Sequence, residues 1–376
     1  MDQPSRSDIC AAVADKLAAA HPTQIDALIG LDGFVDEIIH VVDKRSSATE
    51  FQRMETIAQF SRRTAEAAGQ SANIELVRVQ RKLGGNGPIM ANAMASFGFK
   101  VTYLGGVGYP EIHPVFQPMA KISTVISIAE PCNTDALEFL DGKLMLGKLT
   151  AIADINWATI QARVGRDKLV AMIKSSRLVA TVNWTMLTWM NEIWEHLIAD
   201  IFPEIQMQGK LFFVDLADPE KRTVEDLLGA LKLLEKLQRH VQVVLGLNLK
   251  EAQQVARALK LPAAPADDSA AVKLAVDIQS VLKLACVVVH PRTGAAAADG
   301  HGHGRFAGPF VQEPKISTGA GDHFNAGFVS GLLLGLNLTE ALCMGTATSG
   351  YYVRNAASPG QGELSEFVRN LPPPQG

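Results

Sequence analysis

From Lys315 to Gly335 the chain reads KISTGAGDHFNAGFVSGLLLG. Thr318, Gly319, Ala320 and Gly321 can turn tightly and leave backbone N–H groups bare where a helix begins. The partial positive charge of a helix start favours an anion, so a phosphate fits there. Asp322 follows in the first turn, and Phe324, Phe328 and Leu332 recur at helical spacing to hold the segment in a core. A glycine turn with Asp322 as its cap is the purely structural account. A carboxylate beside an anion hole can do more, because it can accept the proton of a hydroxyl that attacks a bound phosphoryl group.

This stretch closely resembles the second signature of the ribokinase (PfkB) family of carbohydrate and nucleoside kinases. GGNGPIMANAMASFG, from Gly84, resembles the first. There a GG-N segment contacts the hydroxyls of the substrate. Gly84 and Gly85 carry no side chains to keep a polyol from the backbone, and Asn86 offers donor and acceptor together. A glycine turn capped by Asn86 would look the same. In GLDGFVDEI the resemblance implies an acceptor-binding aspartate, with Asp36 matching best and Asp32 competing for the role.

The resemblance extends to the donor side. LNLKEA (247 to 252) holds Asn248 and Glu251, the NxxE pattern that the family uses to organise magnesium and the donor phosphates. Mg2+ keeps several waters and needs only one or two protein carboxylates, so Glu251 through water with Asn248 is sufficient. The same spacing is also a capping box, and the two accounts are compatible. VVVHPRTGAAAADG (287 to 300) takes the place of the strand and turn that meet the donor phosphates, with Thr293 and Gly294 as candidates and Arg292 beside them. Asn355, in TATSGYYVRNAASPG, lies where the family walls the adenine ring. Thr318 joins the nucleotide-binding set. The motifs run in the family's order between about residues 25 and 368.

Three departures are visible. Ile316 stands where many members carry an acidic residue linked to a monovalent cation. RMETIAQFSRRTAEAAG reads as a helix added before the first signature. GGNGPIMAN also resembles the ADP-dependent sugar kinases of the same superfamily, so ATP and ADP both stay open as donors.

These residues need a scaffold. Short apolar runs rich in β-branched residues recur between helical stretches: QIDALIGL, KVTYLGGVG, RLVATVNW, KLFFVDLAD, QVVLGLN and ACVVVH. Such runs are strands covered on both faces, and their alternation with helices implies an α/β fold with a mostly parallel central sheet. The resemblance makes it ribokinase-like, helices on both faces, with a small β-sheet lid. TDALEFLDGKLMLGK (134 to 148) alternates around Asp141-Gly142 and reads as a hairpin. With FVDEIIHVVDK and NIELVRVQRK it would build that lid, which can close over a site. The expected core is 1–33, 84–120 and 150–376, and the lid 34–83 and 121–149.

With 376 residues, 47% hydrophobic and 20% charged, the chain can bury a large core. A net charge of −4 without a long basic cluster gives no attraction to nucleic acid or an anionic membrane. No apolar run approaches the roughly 18 residues that span a bilayer. Cys10, Cys132, Cys286 and Cys343 form no CxxC pair, and the N-terminus lacks the apolar core of a secretory signal, which suits a reduced, cytoplasmic compartment. PAAPADDSAA (262 to 271) and LPPPQG read as loop and tail. HGHG (301 to 304) reads as a loop, because two histidines without a third partner make a weak metal site. GHGRFAG and GGVGYP lack the GxGxxG spacing of a dinucleotide site. The tryptophans of NWTMLTWMNEIW read as packing residues, although Asn183 and Trp184 follow a strand; Asp215 and Asp218 also follow a strand, a position that suits substrate or donor contacts, but read first as solvated turn residues.

The expectation is a magnesium-dependent kinase that transfers the terminal phosphoryl group of ATP to a hydroxyl of a sugar or related polyol. Asp322 would be the base, the Gly319, Ala320 and Gly321 amides the anion hole, and Asp36, Gly85 and Asn86 the acceptor contacts. A nucleoside kinase, an ADP-dependent sugar kinase and a non-catalytic sugar- or nucleotide-binding regulator are the alternatives. A homodimer through the lid is permitted.

Overall fold

The computed structural model describes residues 4–265 and 269–375. Fourteen strands are defined among them: β1 (Asp26–Leu31), β2 (Phe34–Arg45), β3 (Phe51–Arg53), β4 (Leu76–Gly84), β5 (Lys100–Gly105), β6 (Thr124–Ser127), β7 (Cys132–Phe139), β8 (Gly142–Lys148), β9 (Leu178–Thr181), β10 (Leu211–Asp215), β11 (Gln242–Asn248), β12 (Cys286–His290), β13 (Gly294–Asp299) and β14 (Gly302–Ala307). Nine form one sheet in the order β14-β13-β12-β11-β10-β9-β1-β5-β6. Its pairings are parallel except at β12–β13 and β13–β14. The six apolar runs singled out in the sequence are β1, β5, β9, β10, β11 and β12.

Their unbroken apolar character has a direct cause. Successive strand residues face opposite sides, and both sides are covered. Val287 and Val289 join the core on one face, Cys286 and Val288 the core on the other. Trp184 and Trp194 are buried in the first of these cores, as expected for packing residues, whereas Trp189 of the same stretch is exposed.

The remaining strands form a small sheet in the order β3-β2-β7-β8, with β4 paired to β2. β7 and β8 are an antiparallel hairpin closed at Asp141-Gly142. The expected inserted helix is present at Ile57–Ala65, capped by Thr56. It is docked onto the hairpin turn, because the Ile57 N–H donates to Asp141 Oδ1 at 2.9 Å and Phe60 packs on Phe139 with ring centroids 5.7 Å apart. Ile39, Val41, Met54, Leu137 and Phe139 make this small sheet's own core.

Two expectations are corrected here. Residues 121–131, grouped with the lid from the sequence, include β6, which pairs with β5 at the edge of the large sheet. Its four residues are too few to signal their register alone. Three residues of HGHG, Gly302 to Gly304, are strand rather than loop, while His301 stays in the turn: Gly302–Ala307 pairs with Gly294–Asp299, a strand whose centre is four alanines, and the Asp299 side chain accepts from the His301 and Gly302 amides to close the turn. Residues 266–268 of the PAAPADDSAA loop lie outside the described residues.

Candidate active site

Five strands of the large sheet end at one edge, and each delivers a polar side chain there. Asp32 follows β1, Asn183 follows β9, and Asp215, Asn248 and His290 end β10, β11 and β12. Parallel strands put their carboxyl ends together, which is why sites gather at this edge of open α/β sheets.

The two glycine motifs meet there. Asn86 Nδ2 donates to Asp322 Oδ1 at 2.8 Å across 236 positions of sequence. Asn86 opens the helix Asn86–Ser96 after Gly85, whose φ is +95°. Asp322 lies in the first turn of the helix Ala320–Leu333, with Gly319 at the N-cap. Phe324 and Phe328 are buried and Leu332 packs at the core's margin, so the apolar stripe anchors this helix as its spacing required. The first-turn amides of Gly321 and Asp322 have no partner earlier in the helix. The Ala320 amide is spent on Ser317 O at 3.2 Å, which removes it from the expected anion hole. The physical reason is that the turn entering the helix has to be closed.

Asp32 is fully buried. Its carboxylate accepts from the amides of Asn86 at 3.0 Å and Gly87 at 2.8 Å and from Asn183 Nδ2 at 2.7 Å. Its carbonyl accepts from the Tyr103 hydroxyl. The side chain is therefore an anion at the mouth of the Asn86–Ser96 helix. Burial pushes its carboxyl up to about 6, against the pull of those donors.

Asp36, on β2, stands directly across from Lys82 of β4 and beside Thr134 of β7. Burial raises its carboxyl above the usual range, opposed by the Lys82 charge and the Thr134 hydroxyl. Gly84 lies against this carboxylate: a Cβ there would come 2.5 and 2.6 Å from its two oxygens. The Tyr352 hydroxyl lies in the field of both Asp36 and Asp322. Burial and the charges of both aspartates push its hydroxyl up to about 12.

The donor side holds an acidic pair. Asn248 and Glu251 form the expected capping box, Glu251 Oε2 accepting from the Asn248 amide at 2.8 Å and Asn248 Oδ1 from the Glu251 amide at 2.9 Å. Glu251 Oε1 accepts from the Asp218 amide at 2.8 Å. Asp215, read from the sequence as a solvated turn residue, is buried. Its oxygens accept from the Ala217 amide at 2.8 Å and from Asn325 Nδ2 at 2.6 Å. Burial first, then the Glu251 charge, pushes Asp215 up to about 8. Burial also raises Glu251. Asp322 is held well above the ordinary carboxylate range, by burial and then by the Asp215 charge, with Asn86 pulling the other way.

Among the described residues no three His, Cys, Asp or Glu side chains converge to hold a metal ion directly. Thr293 lies between β12 and β13 and Gly294 opens β13, and the Gly308 amide donates to Thr293 O at 2.9 Å. His290 touches the other motif, its Cε1 lying 3.4 Å from where a Gly321 side chain would begin. Asn355 is exposed at the end of its helix, and its amide donates to Tyr351 O at 3.0 Å. Asn183, Asn325, His290 and His323 were not named as site residues from the sequence; only strand-end position hinted at the first and third.

The solved structures of similar fold include a phosphofructokinase-2 variant from Escherichia coli, with a TM-score of 0.63 and 15% identity over 93% of this chain and 99% of that one. Another is ribokinase from Cryptococcus neoformans in complex with ADP, with a TM-score of 0.62 and 18% identity over 91% of this chain and 99% of that one. The fold is ribokinase-like, and the protein is a carbohydrate kinase, a phosphotransferase with an alcohol acceptor. A ketohexokinase of Haloferax volcanii is 28% identical over 374 residues, 98% of this chain and 97% of that one. The model of the prokaryotic ketohexokinase family matches residues 2–371, and the chain belongs to that family.

Proposed function

We propose that the protein transfers the terminal phosphoryl group of ATP to a primary hydroxyl of a ketohexose. The observation that carries this reading is the hydrogen bond from Asn86 to Asp322, which joins the acceptor-side glycine motif to the acid at the phosphate-binding helix mouth. Asp322 is the general base. Its raised affinity for a proton suits it to take one from the attacking hydroxyl. The Gly319, Gly321 and Asp322 amides meet the transferring phosphoryl group, while Ala320 closes the turn. Asp36, Gly84, Gly85 and Asn86 hold the sugar. Asp32 is better suited to position Asn86, since it is fully buried and its carboxylate is engaged by the Asn86 and Gly87 amides and the Asn183 side chain.

Asp215 and Glu251 are buried carboxylates with no ion pair to either among the described residues, and the Glu251 charge raises Asp215. A hydrated divalent cation would relieve that repulsion, so Mg2+ fits here, held by Glu251, Asp215 and Asn248 through water. When bound, Mg2+ neutralises charge on the donor phosphates. Thr293, Gly294, Thr318 and Asn355 line the nucleotide. The lid hairpin closes over the sugar and excludes water as a competing acceptor. Exposed Leu76, Val79, Leu140 and Leu146 on the lid support a homodimer through that sheet. Four free cysteines and the lack, among the described residues, of any helix long and apolar enough to cross a membrane are compatible with work in the cytoplasm.

The test is nucleotide consumption over a panel of ketohexoses, aldoses and nucleosides, with ATP and ADP compared as donors. Ketohexose with ATP should give the highest kcat/KM. Asp322→Asn should lower kcat at least about a hundredfold and leave nucleotide affinity nearly unchanged. Unaltered turnover in that variant removes Asp322 as the base.

A further inference from the structure

The loop that opens the Ala320–Leu333 helix is held by two aromatic side chains the mechanism above does not use. His323 stacks on Tyr352 with ring centroids 3.6 Å apart and planes 13° from parallel. The Tyr352 hydroxyl donates to Thr318 O at 3.0 Å. His323 Nδ1 lies 2.8 Å from Gly319 O. A carbonyl only accepts, so Nδ1 carries the ring proton. Nε2, 2.9 Å from Ser358 Oγ, then accepts from that hydroxyl. Ser358 Oγ accepts in turn from Asn92 Nδ2 at 3.1 Å. Asn92 belongs to the Asn86–Ser96 helix.

Because a peptide unit is planar, fixing its carbonyl fixes the direction of its N–H on the other side. Tyr352 thereby aims the Gly319 amide. His323, with the Ala320 amide bonded to Ser317 O, immobilises the next peptide from both ends. Gly319 is suited to this packing, since its φ is +91° and a Cβ would lie 3.2 Å from the Tyr352 oxygen.

We propose that His323 and Tyr352 are positioning residues: Tyr352 locks the Thr318 carbonyl and so presets the Gly319 amide that receives the transferring phosphoryl group, while His323 locks the Gly319 carbonyl and, with the Ala320 amide closed on Ser317 O, keeps the turn that carries the Gly319 and Gly321 amides rigid. Ser358 and Asn92 connect this lock to the helix that presents Asn86. The proposal rests on the kinase reading above and adds to it the source of the cradle's rigidity. Amides preset before the reaction do not have to reorganise as charge moves, which is how such donors accelerate group transfer. Burial keeps the His323 ring neutral, its proton affinity pushed down to about 4, so the Nδ1–H form is available throughout the neutral range.

The test compares wild type, His323→Leu, His323→Asn and Tyr352→Phe. It reads kcat, separate KM values for nucleotide and sugar, affinity for ADP with aluminium fluoride, and Tm. Asn carries a side-chain N–H near the place of Nδ1, so it restores the bond to Gly319 O that Leu cannot make. His323→Leu should lower kcat roughly tenfold to a hundredfold, below the loss of a whole donor, and weaken the aluminium fluoride complex in proportion. The KM for sugar should move less than about threefold, and His323→Asn should recover most of the loss. A folded His323→Leu with kcat within about twofold of wild type overturns the proposal, as does a His323→Asn no better than Leu. If His323→Leu does not fold, Tyr352→Phe decides, and kcat within about twofold again overturns it. Wild type without sugar-kinase turnover would instead sink the kinase reading.

Discussion

Gly84→Ala should damage acceptor use and spare the nucleotide. Gly84 is the last residue of β4, and a methyl group there would stand 2.5 and 2.6 Å from the oxygens of Asp36. Ordinary contact begins near 3.4 Å, almost an ångström farther, so the carboxylate has to swing away. It has little room, because Asp36 is only 5% exposed and stands between Lys82 and Thr134. Overpacking of this kind costs about 1 to 3 kcal/mol. If the displaced carboxylate no longer meets the sugar, each 1.4 kcal/mol or so is a tenfold loss, which puts the fall in kcat/KM for the sugar at about tenfold or more. Initial rates over a range of sugar at saturating nucleotide measure that loss, and the converse titration should show the KM for nucleotide moving less than about twofold. The cost should largely vanish in an Asp36→Ala background, where the methyl group meets open space, so a double-mutant cycle isolates the pair. Unchanged kcat/KM for sugar in a folded Gly84→Ala, or an undiminished loss without Asp36, refutes the assignment.

Two further outcomes follow from the titrating groups. A base with raised proton affinity must lose its proton to act, so kcat/KM should fall as pH falls through its range. Asp215→Asn removes the largest neighbouring charge that raises Asp322 and should move this acid limb to lower pH; a limb that stays put or moves up contradicts the coupling. His323 binds its proton at about 4 in the folded chain, against about 6.5 unfolded. The unfolded chain therefore binds more protons between those values, and stability must rise with pH across that window. The contribution, about 3 kcal/mol, is fully present above pH 6.5 and lost as pH drops towards 4. Urea midpoints at pH 7 and 4.5 should draw closer together in His323→Asn than in wild type, and equal losses would refute the linkage.

Local pattern carried most of the architecture. Strands covered on both faces write themselves as unbroken apolar runs, so β1, β5, β9, β10, β11 and β12 were legible, and Asp141-Gly142 announced its hairpin through turn chemistry. β6 was not legible, because four residues, one exposed and three half-buried, carry no register of their own. HGHG misled because strand formation there depends on pairing with the alanines of β13, a partner that local residue types do not reveal.

The site divides along the same line. The acid at the GAGD helix and the Asn248–Glu251 box could be read from spacing, since a helix mouth and a capping box are made by residues three or four apart, while the order of the motifs had meaning only through the resemblance to the ribokinase family. The sequence alone therefore determined the fold class and a short roster of reactive groups. Only the tertiary structure decided their division of labour: which of Asp32 and Asp36 is left facing Lys82 and Thr134, that Asp215 is buried beside Glu251, and that Asn86 reaches Asp322. Those outcomes turn on burial and on groups 36 to 236 residues apart in the chain meeting in space. Desolvation and Coulomb coupling are properties of a place in space, and no local pattern in the chain encodes them.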